Sequence, residues 1–141
     1  MVSLIVGDKG KGKTKDLLDK VNAAVAVANG NIVYLDESSK HMYELNNKIR
    51  LIDVSPYPLN NSDEFVGFIC GIISQDHDLE EMYFDSFLKL ANLEDNRENI
   101  GDTLTKLNEV SEKFKVRMII SISVDKDELP EEIQDMVVIS L

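Results

Sequence analysis

The sequence predicts an α/β fold with a mainly parallel sheet. Short runs rich in β-branched residues alternate with runs of helical periodicity, and parallel strands need a crossover of this kind between them. The first run, Val2–Val6, is continuously apolar, which is typical of a strand buried on both faces. The chain has 141 residues, of which 43% are hydrophobic, so we expect one core and a single domain spanning 1–141.

The first half of the chain is expected to hold three strands and two helices. A helix should follow Thr14 directly, because apolar side chains recur every three or four residues as far as Ala28, and Asn29-Gly30 offers a C-terminal cap. Asn61, with Glu64 three residues later, resembles a capping box and should open the second helix. The predicted strands cover residues 2–6, 32–35 and 49–54.

The second half should supply the remaining strands and the clearest amphipathic helix. A fourth strand is predicted at 82–84, ending at Asp85, and Pro130 should begin a short helix near the end of the chain. Further strands are predicted at 118–124 and 136–139. The amphipathic helix is marked by a stripe of apolar residues spaced by three or four: Ile100, Leu104, Leu107, Val110 and Phe114.

A phosphate-binding motif lies between the first strand and the first helix. Residues 7–14 fit G-x-x-x-x-G-K-[ST] without a mismatch, in the strand–loop–helix context that the motif requires. Glycines let the backbone turn its N–H groups inward around phosphates, and the helix N-terminus adds a positive dipole end. The predicted nucleotide-binding residues are Gly7, Asp8, Lys9, Gly10, Lys11, Gly12, Lys13 and Thr14.

Within this loop two side chains have distinct expected roles. Lys13 should reach the β- and γ-phosphates, and the Thr14 hydroxyl should ligate Mg²⁺, so ATP and Mg²⁺ are the expected ligands. ATP is favoured over GTP because the sequence has no Asn-Lys-x-Asp base-reading motif. The alternative is a glycine-rich turn with surface lysines, which requires neither this spacing nor a lysine followed by a hydroxyl.

With this motif in place, the chain resembles P-loop NTPases, and more narrowly their RecA-like branch. Two strands and a helix separate Thr14 from the segment Glu81-Met82-Tyr83-Phe84-Asp85-Ser86, which is similar to a Walker B strand. The resemblance implies a three-layer fold with strand order 3-2-4-5-1-6 and a nucleotide at the carboxyl ends of the strands. It also implies that Asp85 holds Mg²⁺ through water; the alternative is a strand-terminal aspartate that caps a turn.

The resemblance also indicates a catalytic carboxylate. Ser86 occupies the place where many relatives carry a glutamate, whereas RecA-type proteins carry it after the second strand, where this chain has Asp36 and Glu37. Glu37 is therefore the predicted general base, Asp36 is a rival, and a solvated loop carboxylate is the third reading. Ser121 and Ser123 fall in the region where relatives keep a polar sensor of the γ-phosphate, or are simply small hydroxyls on a strand.

Charge and cysteine content exclude some classes of function. There are 26 acidic and 15 basic residues, a formal net charge of −11, which disfavours binding to nucleic acid or to an anionic membrane. A single cysteine, Cys70, permits no internal disulfide, and no apolar run has the length of a membrane span, so we expect a cytoplasmic protein. His41 and His77 have no metal-ligand spacing with Cys70 and are read as ordinary polar residues.

Several functions therefore stay open. The first is a small Mg-dependent ATPase or ATP-driven switch; the second is a non-hydrolysing nucleotide-binding module that acts with a protein partner or in a homo-oligomer. A small-molecule kinase is disfavoured, because the chain has three arginines and no insertion large enough for a lid. A structural protein with a vestigial P-loop is the remaining alternative.

RecA-like enzymes usually receive an arginine from a neighbouring subunit, for which only Arg50, Arg97 and Arg117 are available.

Overall fold

The computed structural model describes residues 1–141 as six strands, five α-helices and three short 3₁₀ turns. The strands are β1 Val2–Val6, β2 Asn31–Asp36, β3 Arg50–Asp53, β4 Leu79–Phe84, β5 Arg117–Ile122 and β6 Val137–Ser140. The helices are α1 Lys13–Val25, α2 Ser62–Ser74, α3 Phe87–Leu90, α4 Ile100–Phe114 and α5 Glu131–Gln134. The 3₁₀ turns cover Met42–Glu44, Arg97–Asn99 and Lys126–Glu128.

The strands form one sheet in the order β3-β2-β4-β5-β1-β6. Every neighbouring pair is parallel, so the predicted fold class and strand order are confirmed. Strand β5 lies between β1, which leads into the phosphate loop, and β4, which ends before Asp85. Because all strands run the same way, the loops that follow β1, β2, β4 and β5 meet at one edge of the sheet.

The two faces of the sheet are covered unequally. A core of 27 buried residues fills the face beneath α2, α3 and α4, whereas 8 buried residues lie on the face that packs against α1. Six strands spaced by about 4.8 Å span roughly 24 Å, and one helix is about 10–12 Å across, so α1 covers only part of its face. None of the helices combines the length and the apolar character needed to cross a bilayer.

Helix α1 ends earlier than the sequence predicted. It stops at Val25, and of the apolar residues that continue the predicted stripe only Ala28 still packs against the core, while Val27 is 82% exposed. The prediction that Asn29-Gly30 caps this helix is wrong. Glycine is required at position 30 because another backbone segment passes close to it. A Cβ there would lie 2.1 Å from the Asp78 carbonyl oxygen, which accepts a 2.8 Å hydrogen bond from the Asn31 N–H.

Two elements around β4 also differ from expectation. The strand begins at Leu79 instead of Met82, since Glu81 is buried against the Tyr83 hydroxyl, at 2.6 Å, and the Arg117 guanidinium. A charged residue in a buried strand is tolerated only with such partners. The short helix α3 was not predicted at all; its one turn is held by the buried side chains of Phe87, Leu88 and Leu90.

Candidate functional site

The phosphate loop adopts backbone angles that favour glycine. Gly10 and Gly12 have φ values of 83° and 89°, in the left-handed region that a Cβ disfavours. Gly12 is the residue before α1, so the loop turns directly into the helix N-terminus. The sequence motif thus produces a compact turn between β1 and α1.

The loop presents unused backbone donors. Among the N–H groups of residues 7–14, only those of Gly7 and Lys11 bond another backbone group, the Val124 carbonyl at 3.0 Å and the Asp8 carbonyl at 3.3 Å. The remaining six amides, those of residues 8–10 and 12–14, donate to no protein acceptor. Free donors together with a helix N-terminus form a site that attracts anions.

Lys13 lies against this loop and is only 8% exposed. Its ammonium group donates a 2.8 Å hydrogen bond to the Asp8 carbonyl oxygen. Burial lowers the pKa of Lys13, while the charges of Asp8 and Asp85 act in the opposite direction. An ammonium group that has lost much of its water is well prepared to bind an anionic ligand.

Asp85 connects three strands at the carboxyl edge of the sheet and is 3% exposed. Its Oδ1 accepts hydrogen bonds from the Thr14 hydroxyl at 3.2 Å and the Ser121 hydroxyl at 3.0 Å. Its Oδ2 accepts one from the Tyr34 hydroxyl at 3.0 Å. Burial and the Asp85 charge raise the pKa of Tyr34 above its ordinary value, so this phenol remains a donor.

The next residue, Ser86, gives the strand end its sharp bend. Its φ of 58° places a non-glycine residue in the left-handed region. Its N–H donates a 3.2 Å hydrogen bond to the Ser121 hydroxyl, which also contacts Asp85. Ser121 is buried and bonds the Asp85 carboxylate, and both Ser121 and Ser123 line the cleft above this edge of the sheet.

The two carboxylates after β2 occupy different environments. Asp36 is 2% exposed; its Oδ1 accepts a 2.7 Å hydrogen bond from the Glu37 N–H, and its Oδ2 has no partner. Burial and the nearby Asp85 charge raise the pKa of Asp36 to about 6. Glu37 is more open, and its Oε1 forms a 3.2 Å ion pair with Lys89.

A cleft of about 400 Å³ opens above these groups. The predicted residues Lys13, Thr14, Glu37 and Asp85 all line it, whereas Gly7, Asp8 and Lys11 belong to the loop without reaching the cleft. Sequence reasoning missed two basic side chains on its walls, Lys40 and Lys89, and named Arg97 only as one of three arginines available to a neighbouring subunit. No motif marks these residues, since they reach the cleft only through the order of the strands.

Comparisons with known proteins bear on the fold. The sequence matches no protein-family model and no curated protein. In structure the chain aligns with a KaiC-like protein from the hyperthermophilic archaeon Pyrococcus horikoshii OT3, with a TM-score of 0.64 and 17% sequence identity. The chain shares the fold of this KaiC-like protein.

The alignment with the KaiC-like protein covers 95% of this chain and 66% of the other, so the chain spans just under two thirds of that protein's length. At such low identity the KaiC-like fold supports the predicted architecture and leaves each site residue a prediction. The roles given to Lys13, Thr14, Glu37 and Asp85 therefore rest on the geometry described above.

Proposed function

We propose that this chain binds Mg-ATP in the cleft above the phosphate loop and hydrolyses it as a small ATPase or ATP-driven switch. The observation that carries the proposal is the set of unpaired loop amides beside Lys13, next to the hydrogen-bonded pair Thr14–Asp85. Backbone donors and one ammonium group suit the phosphates of a nucleotide. The KaiC-like fold and the RecA-like resemblance of the sequence support the same ligand.

The donor set at Thr14 and Asp85 fits Mg²⁺. One hydroxyl and one carboxylate are hard oxygen ligands, and Mg²⁺ is usually bound by few protein groups with water and phosphate oxygens completing the shell. The ion supplies charge neutralisation at the phosphates when bound. Ser121 and Tyr34 hold the Asp85 carboxylate in place, so the protein side of the site is organised before the ligand arrives.

For hydrolysis we propose Glu37 as the group that orients the attacking water. It lines the cleft, and its ion pair with Lys89 is partly exposed, with side-chain exposures of 34% and 41%, so the carboxylate can be released at small cost. Asp36 remains the rival for this role, because its Oδ2 atom has no hydrogen-bond partner and could accept a proton from water. A base near the cleft wall is the more accessible to a water above the phosphates.

A second candidate is a nucleotide-binding module that does not turn over. The ion pair that engages Glu37 favours it, as does Ser86 in the position after Asp85. In this case a protein partner or a second copy of the chain would supply an arginine side chain to the phosphates, or would release Glu37 from its ion pair with Lys89. Both candidates require ATP binding and differ only in turnover.

The test combines calorimetry with a phosphate-release assay. Wild type should bind Mg-ATP, and Lys13→Ala should reduce both affinity and any phosphate release. Lys15→Ala is the matched control, because Lys15 is 80% exposed on α1 and pairs with Asp19 at 2.9 Å outside the cleft. Binding without turnover selects the second candidate, and equal behaviour of wild type and Lys13→Ala defeats the proposal.

A further inference from the structure

His41 lies beside the two buried carboxylates of the sheet edge. Ligand atoms of Asp36, His41 and Asp85 all fall within 4.8 Å of one another. His41 precedes the 3₁₀ turn Met42–Glu44, and its side chain is 21% exposed, while Asp36 and Asp85 are almost fully buried. The sequence predicted an ordinary polar histidine, because His41 has no metal-ligand spacing with Cys70.

Asp36 carries an unsatisfied oxygen in this cluster. Its Oδ2 is buried without any hydrogen-bond partner, whereas Oδ1 takes the Glu37 N–H. A buried carboxylate oxygen next to a second carboxylate is unfavourable unless a cation or a donor compensates for it. Two carboxylates and a neutral imidazole carry the charge that balances one divalent cation.

The His41 ring also contacts a carboxylate outside the cluster. Its Nδ1 lies 3.2 Å from the Glu44 Oε1 atom. An ionised carboxylate can only accept, so Nδ1 donates in this contact, and in the neutral form of the ring Nε2 is then the nitrogen with a free lone pair. Histidines that bind metals usually donate their other ring N–H to a carboxylate in this way.

The turn that carries Glu44 is anchored to α1. The Asn22 side chain donates a 2.8 Å hydrogen bond to the Glu44 carbonyl oxygen and accepts a 2.9 Å bond from the Asn46 N–H. On the other side, Tyr34 holds Asp85 through its hydroxyl. The three candidate ligands are therefore positioned by β2, β4 and a turn that is tied to the helix of the phosphate loop.

We propose that Asp36, His41 and Asp85 bind one divalent transition-metal ion of the class represented by Zn²⁺ and Co²⁺, with Glu44 orienting the imidazole. Mixed nitrogen and carboxylate ligands favour these ions over Mg²⁺, which prefers oxygen. Bonds of about 2.0–2.2 Å in a tetrahedral site place ligand atoms roughly 3.4 Å apart, so atoms that now lie within 4.8 Å of one another draw together by up to about 1.4 Å on binding. His41 is only partly buried and lies on a turn outside the strands, which permits this movement. The site requires no nucleotide.

The experiment is a Co²⁺ titration of nucleotide-free protein, followed by the visible absorption of bound cobalt, with Zn²⁺ as competitor. Wild type should bind one Co²⁺ per chain, and Zn²⁺ should displace it while Mg²⁺ does not. His41→Ala should weaken binding by more than about tenfold, and Glu44→Ala, which removes only the orienting carboxylate, by about tenfold. His77→Ala is the matched control, because His77 is the only other histidine and is exposed.

The outcomes separate this site from adventitious binding and from the nucleotide site. The proposal is overturned if no cobalt signal is seen or if wild type and His41→Ala bind Co²⁺ with equal affinity. It is also overturned if His77→Ala loses affinity for Co²⁺, or if the spectrum shows a thiolate band from Cys70. As a check on wild type alone, added Zn²⁺ should shift the NMR signals of the His41 ring nitrogens and leave those of His77 in place. Binding of Mg-ATP should persist in His41→Ala, so failure here leaves the ATP proposal intact.

Discussion

The Thr14 hydroxyl donates a 3.2 Å hydrogen bond to the Asp85 carboxylate, although the two residues are 71 positions apart in the chain. Strand β5 separates the two strands that lead to them, and only the parallel order β4-β5-β1 brings their loops to the same edge. Asp85 therefore links the phosphate loop to the rest of the sheet. The predictions below follow from this link and from the groups around it.

Replacing Thr14 by valine should remove a proposed Mg²⁺ ligand while keeping the shape of the side chain. We expect Thr14→Val to lower the affinity for Mg-ATP by about ten- to a hundredfold, and Thr14→Ser to retain most of it. Calorimetry with and without Mg²⁺ checks this result. Thr105→Val, on the exposed side of α4, is the control. If Thr14→Val loses as much affinity for ATP in magnesium-free buffer as it does with Mg²⁺, the hydroxyl does not act through the ion.

Removing the Tyr34 hydroxyl should destabilise the fold. Tyr34→Phe leaves the buried Asp85 Oδ2 without its 3.0 Å donor, which costs about 1–3 kcal/mol for a bond to a charged group. Urea denaturation followed by circular dichroism measures the loss. Tyr43→Phe should be neutral, because Tyr43 is 93% exposed. If both variants unfold at the wild-type midpoint, the hydroxyl contributes nothing to stability.

The ion pair between Lys89 and Glu37 should restrain hydrolysis. If Glu37 orients the attacking water, Lys89→Ala frees its carboxylate, and because the ion pair is exposed and weak we expect a gain in phosphate release of up to about fivefold. The double variant Lys89→Ala/Glu37→Gln should lose that gain. Lys106→Ala, which breaks two surface ion pairs away from the cleft, with Asp63 and Asp102, should leave phosphate release unchanged. A fall in release with Lys89→Ala would assign Lys89 to the phosphates instead.

Two glycine substitutions should act in opposite directions. In Gly30→Ala the new Cβ would lie 2.1 Å from the Asp78 carbonyl oxygen, so the start of β2 must shift, at a cost of about 1–3 kcal/mol. In Gly67→Ala, within α2, no atom lies within 4 Å, and we expect a gain of about 0.5–1 kcal/mol from helix propensity. Thermal unfolding measures the stability of both variants. If both lose stability by a similar amount, the space around Gly67 does not accept a methyl group and the prediction is wrong.

The parts of the site that sequence predicts well are local. The loop between Gly7 and Thr14 is contiguous, so its glycines, lysine and hydroxyl can be recognised without knowing the fold. Asp85 was proposed because residues 81–86 resemble a Walker B strand, and the alternating elements were sufficient for the fold class. Each of these features depends only on neighbours in the chain.

The parts that sequence could not predict depend on strand order and on buried partners. Tyr34 looks like one more apolar residue of β2, and only the adjacency of β2 and β4 directs its hydroxyl at Asp85. Lys89 lies on α3, a helix too short to give a periodic signal. His41 meets Asp36 across a turn whose position is set by Asn22, far from any local motif.

The central claim is that free amides of the phosphate loop bind the phosphates of ATP, and amide NMR tests it most directly. On addition of Mg-ATP to ¹⁵N-labelled protein, the N–H signals of Gly10, Gly12, Lys13 and Thr14 should shift strongly, while those in the distant part of α4 stay in place. The same titration with Lys13→Ala should give weak shifts. Unchanged signals at these four amides in the presence of saturating Mg-ATP would contradict the account.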